Sequence, residues 1–161
     1  MNPAEDVGPR PVGREQRATY AFAGAAVELG RTVPLGAGEE ILLHGVMRLR
    51  RLGRLPRPVV LRLTPQRLSL LLHFAFQPDR VWDLPRASVR EVGLVRNAVH
   101  VSWTSDDAGG ITVMGLTGWT GRSAVDSSLR DAGAVADVLR AWLDSPDGRF
   151  LTRRPASHRP R

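Results

Sequence analysis

Cysteine and lysine are both missing from this chain of 161 residues. Without cysteine there is no disulfide framework, no thiolate nucleophile and no cysteine-built zinc site. Without lysine there is no Schiff-base chemistry and no Walker-type phosphate loop. All 23 basic residues are arginine, a usage that matches the codon bias of a GC-rich bacterial genome. Long apolar runs are missing too. The longest, Leu68 to Phe76, is interrupted by Ser69 and His73 and falls far short of the roughly 20 residues that cross a bilayer. The amino terminus, Met1-Asn2-Pro3-Ala4-Glu5-Asp6, is acidic where a secretory signal is basic and then apolar, so a cytoplasmic location is expected. Catalytic spellings are also absent, with no Gly-x-Ser-x-Gly elbow, no His-Glu-x-x-His and no glycine-rich phosphate loop. The chain therefore reads as non-catalytic, with no cofactor and no metal expected.

What is present is the texture of short strands. Residues 1–17 and 145–161 are rich in proline, glycine and charge without periodicity and read as flexible tails, the second one arginine-rich. Between them, residues 18–34 form an apolar lead-in that fits either a strand or a short helix, and residues 35–144 form one folded domain. Ile41, Leu43, Met47 and Leu49 alternate with Arg48 and Arg50, as a half-buried strand requires. Val59, Leu61 and Leu63 make a second strand ending near Thr64-Pro65. Leu68, Leu70, Leu72, Phe74 and Phe76 make a third at strict period two. Val81 to Pro85, Ser88 to Val95, Ala98 to Thr104 and Ile111 to Leu116 supply four more, with Asp106 to Gly110 as a hairpin loop. After Val125 the period changes. Ser128-Leu129-Arg130-Asp131 spells a capping box, and Val135, Val138, Leu139 and Trp142 recur at helical spacing until Pro146 and Gly148.

This order of elements resembles the bacterial pleckstrin-homology-like and GRAM-like domains. The matching residues are Gly38-Glu39-Glu40-Ile41-Leu42-Leu43, Leu61-Arg62-Leu63-Thr64-Pro65-Gln66-Arg67-Leu68 and Val81-Trp82-Asp83-Leu84-Pro85-Arg86-Ala87-Ser88-Val89, which with the terminal helix cover roughly residues 35–143. The resemblance implies a mainly β protein, a seven-stranded antiparallel barrel capped by one C-terminal α-helix. It also implies a lipid-binding or protein-binding adaptor. The phosphoinositide sites of eukaryotic members place a basic-x-arginine pair after the first turn. Here Arg48-Leu49-Arg50 lies on the first strand itself, and Arg57-Pro58-Val59 lacks the second basic residue.

The functional lead is the distribution of charge. Residues 41–78 carry seven arginines and no carboxylate, leaving sixteen arginines against sixteen acids elsewhere, so this segment accounts for the whole net charge of +7. Arginine suits phosphate because its planar fork donates two hydrogen bonds at once. Arg48, Arg50, Arg51, Arg54 and Arg57 are the candidate phosphate-binding or lipid-binding residues, against a plain solvated strand face. Nucleic acid ranks below a lipid surface, since no aromatic interleaves residues 41–72. Trp119, set between Gly118 and Gly121, is either an exposed interface residue or folded back over the barrel. Trp103 and Trp142 fall on core faces. His73 and His100 lean outward and could meet in space as a metal pair, and Asp106-Asp107 and Glu39-Glu40 read as solvated turns. Two readings remain open: weak, charge-driven association with anionic phospholipid, peripheral at the inner face of the membrane, and a protein-interaction adaptor with an unidentified partner.

Overall fold

The computed structural model describes residues 24, 26–50, 57–74, 77–105 and 110–149. Seven strands form one sheet: β1 (Leu43–Leu49), β2 (Arg57–Leu63), β3 (Arg67–Leu72), β4 (Arg80–Pro85), β5 (Val89–Val95), β6 (Ala98–Ser105) and β7 (Gly110–Ser123). Every neighbouring pair is antiparallel, in the order β4-β3-β2-β1-β7-β6-β5. The sheet curls into a half-barrel, and β4 and β5 are its two free edges. One residue in two faces the hollow. Leu43, Met47 and Leu49 are buried along β1, and Leu61, Leu63, Leu68, Leu70, Val99, Val101 and Leu116 join them from β2, β3, β6 and β7.

The curl turns on β7, which is 14 residues long and serves two partners. Its first half pairs with β6 and its second half with β1, and Leu116 faces both Val99 and Leu49. The register against β1 shifts between Val46 and Arg48. At that point Gly118 takes φ 67°, a left-handed value that glycine adopts without a Cβ penalty. The strand therefore runs well past Leu116, and Trp119 belongs to it and not to a loop. β3, in contrast, ends at Leu72, short of the Phe76 expected.

Two helices cover the sheet. Residues 26–32 form α1, so the described part of the lead-in is helical and not a strand. Leu29 and, just beyond the helix, Val33 are buried against Val60 and Leu71 on the convex side of β2 and β3. The packed body thus begins before residue 35, because Val60 and Leu71 face away from the hollow and need apolar cover of their own. α2 (Ala132–Asp144) crosses the open end over β5, β6 and β7. Its N-cap is Asp131, whose carboxylate accepts from the Ala134 N–H at 2.8 Å. Ser128 turns instead to Asp126, so the expected capping box is not formed.

The far end of α2 is pinned from two directions. Trp142 is fully buried and its indole N–H donates to the Pro65 carbonyl at 3.2 Å, tying the helix to the β2–β3 turn. Arg86, just after β4, donates to the carbonyls of Leu143 at 3.1 Å, Ser145, and Pro146 at 2.6 Å. A guanidinium at the C-terminal end of a helix satisfies orphan carbonyls and opposes the negative end of the dipole. Residues 145–149 are consequently held in place, where a loose tail was expected. Gly148 has φ 69°, and a Cβ there would overlap the Pro65 carbonyl.

Three substitutions test this arrangement by thermal unfolding. Trp142→Ala should cost about 3–5 kcal/mol. Gly148→Ala should lower the melting temperature through strain and overlap together. Gly30→Ala, at an open position of α1, should raise stability by about 0.5–1 kcal/mol. Equal effects from the two alanine-for-glycine changes would show that the chain after α2 is not packed on Pro65.

Candidate functional site

Strand parity sorts the arginines of the basic segment. Arg48 on β1 is exposed and pairs in register with Pro58 on one side and Thr117 on the other. Arg50 is also exposed, two residues on and therefore on the same convex face. Its backbone N–H donates to the Gly115 carbonyl at 3.0 Å, and its guanidinium reaches the Arg96 carbonyl at 3.3 Å in the β5–β6 turn. Arg57 pairs with Leu49, which is buried, so it points to the concave side. There its guanidinium stacks on Phe74, 4.7 Å from the ring centroid. Arg57 is thus not on the same face as Arg48 and Arg50, because adjacent strands put facing residues on the same side. Arg51 and Arg54 lie outside the described residues.

The remaining two arginines of the segment have structural partners. Arg62 is only 3% exposed and donates to the Val33 carbonyl at 2.6 Å. Burial, with the nearby charge of Arg67, lowers its pKa from the ordinary guanidinium value. Arg67 uses three donors at once, to Glu39 at 2.8 Å, Asp83 at 3.0 Å and the Pro34 carbonyl at 2.7 Å. Asp83 is held in turn by the Ser69 hydroxyl at 3.0 Å. Together these two side chains clamp residues 33–39 over the convex face of β2 and β3. Neither guanidinium is available to an outside phosphate.

The convex face of β1 and β7 is different. Outward positions there include Arg48, Arg50 and Arg122, all exposed, and Arg96 stands in the adjoining turn. No carboxylate occurs in β1, β6 or β7. His44, opposite Arg122, adds no charge at neutral pH, since burial and then the Arg62 guanidinium push its pKa down. From Arg50 to His44 the strip spans about 20 Å at the usual rise of a strand. Arg96, Arg122 and the exposed apolar pair Ile111 and Val113 were not legible as part of this face. Only the cross-strand register brings them beside β1, and composition carries no sign of it.

Trp119 takes the second of its two expected positions. Past the bulge at Gly118 the strand's parity reverses, and the indole packs against the core across Gly45 and Gly121, which face each other in register. A Cβ on Gly45 would lie 2.6 Å from the ring, and one on Gly121 would lie 3.0 Å from it. The ring occupies the volume that two missing side chains leave, so Trp119 is half-buried on the concave side and not presented on the convex face. His73 and His100 also have separate neighbours. His73 Nδ1 lies 2.9 Å from Asp79, and His100 rests against Gly115. Among the described residues no group of three or more His, Asp or Glu is placed to hold a metal ion, and no helix is long and apolar enough to cross a membrane.

The clamp has a pH signature. Burial alone would raise the Glu39 carboxyl, but the hydrogen bond and charge of Arg67 outweigh it and hold the pKa below its ordinary value. A carboxyl with a depressed folded pKa contributes stability that is complete above the unfolded value, about 4.3, and lost as pH falls through the folded one. Glu39→Gln should therefore destabilise the chain by about 1–3 kcal/mol near neutral pH. The gap should close as melts are run below about pH 4. A gap that stays constant on acidification would mean that Glu39 contributes through packing alone. The chain matches no family model, no curated protein and no solved structure, so its function has to be read from this geometry.

Proposed function

We propose that this chain is a non-catalytic binding module of the pleckstrin-homology-like kind that associates with anionic phospholipid at the inner face of the membrane through the convex side of β1 and β7. One observation carries the reading. Outward positions on these strands hold Arg48, Arg50 and Arg122 with no carboxylate among them, whereas Arg62 and Arg67 are used up inside the fold. The seven antiparallel strands and the closing α2 support the likeness to those domains, since both are what the resemblance implies.

The expected strength is small. Each basic residue near an anionic membrane contributes about 1 kcal/mol, so three arginines supply about 3 kcal/mol, weaker than millimolar binding. Such attraction is screened over a Debye length of about 8 Å at physiological salt. The wild-type chain should co-sediment with vesicles containing phosphatidylglycerol and not with pure phosphatidylcholine, and salt should release it. Arg48→Glu with Arg50→Glu should abolish the binding and leave the melting temperature nearly unchanged, because exposed charges contribute little to stability. Association that ignores vesicle charge, or none at all, would overturn this reading in favour of the protein-adaptor alternative.

A further inference from the structure

Charge alone leaves the proposed association too weak to hold the chain at a membrane, and Trp119, half-buried over Gly45 and Gly121 on the opposite side of the sheet, cannot supply a second contact on this face. Two other side chains can. Ile111 and Val113 are 57% and 58% exposed, among the largest exposures of any described apolar residue. They sit at alternate positions of β7, with the same parity as Gly115 and Thr117, and so share the convex face with Arg48 and Arg50. The register fixes the neighbourhood. Arg48 faces Thr117, Arg50 bonds to Gly115, and Val113 and Ile111 follow along the same strand at about 7 Å and 13 Å from Gly115. Their partners on β6 are Ser102 and Thr104, small and uncharged.

We infer that Ile111 and Val113 form the apolar half of a membrane-docking surface whose cationic half is Arg48 and Arg50, so that the barrel lies with the convex side of β7 against the lipid. This rests on the anionic-lipid reading above and gives it an orientation and a second source of affinity. Charge complementarity selects the occupant. The apolar pair adjoins arginines with no carboxylate on β1, β6 or β7, which suits a layer of anionic headgroups over acyl chains. Among the described residues of the neighbouring strands, the outward carboxylate is Glu91 on β5, beyond Ser102 from Val113, and it would tilt that edge away from the surface. A flat patch favours this contact. Gly115 leaves no side chain between Arg50 and Val113, and the His100 ring lies down against it. Marginal charge attraction becomes stable only with a second signal, and buried aliphatic area is one.

The absence of cysteine makes the test clean. A Val113→Cys variant labelled with an environment-sensitive fluorophore should shift to the blue and brighten on phosphatidylglycerol vesicles, whereas the same label at Ala141→Cys, exposed on α2, should stay unchanged. Ile111→Ser with Val113→Ser should weaken co-sedimentation by roughly tenfold, a loss sized to partial burial of two aliphatic side chains. The binding that remains should be released by salt. If the protein co-sediments but the label at 113 still reports water, or the double serine variant binds like the parent, the apolar contact is wrong and the charge reading stands. If the parent does not bind anionic vesicles, both fall together.

Discussion

A seven-stranded sheet whose first and last edges do not pair leaves its apolar hollow open between β4 and β5, and closing that opening is the constraint on which the rest of the molecule depends. α2 does it by laying Val135, Leu139 and Trp142 over the end of the core. Its seat is defined by polar contacts from outside the helix, the Pro65 carbonyl to the Trp142 indole and the Arg86 fork to the helix end. β4 and β6 meet across the gap through an edge-to-face contact of Trp82 and Trp103, 6.2 Å between centroids. These contacts join segments far apart in sequence, so the sheet cannot keep its curl unless both ends of the domain are in place.

The sequence showed most clearly what repeats. Period-two runs through Leu43 to Leu49 and Leu68 to Leu72 and the helical spacing of Val135, Leu139 and Trp142 announced strands and a closing helix, because each pattern follows from one buried face. It showed least where a single residue breaks a pattern. Gly118 reverses the parity of β7 and carries Trp119 inward, and nothing local separates such a bulge from a turn. Asp131, not Ser128, caps α2 because the chain enters the helix three residues later than the capping-box spelling suggests.

The same physics explains why a basic segment is a poor map of a basic surface. The five described arginines of the segment divide by parity and by cross-strand neighbour into different environments. Arg62 and Arg67 are enclosed with residues 33–39, Arg57 is stacked on Phe74 over the concave mouth, and Arg48 and Arg50 stand on the convex side. The patch that results is completed from elsewhere, by Arg122 on β7 and Arg96 in a turn. The clamp formed by Arg62 and Arg67 has its own use, since it fastens α1 over Val60 and Leu71, while among the described residues Arg48, Arg50, Ile111 and Val113 on the β1–β7 side stay exposed.

The central claim is that the convex side of β1 and β7 is the surface that meets anionic lipid. It is tested most directly by recording amide spectra of the isotopically labelled chain on phosphatidylglycerol nanodiscs that carry a paramagnetic lipid headgroup. Broadening should concentrate at Arg48, Arg50, Val113 and Thr117 and spare α2 and β3. Broadening centred on the mouth around Phe74 and Arg80, or spread evenly over the molecule, would contradict the account.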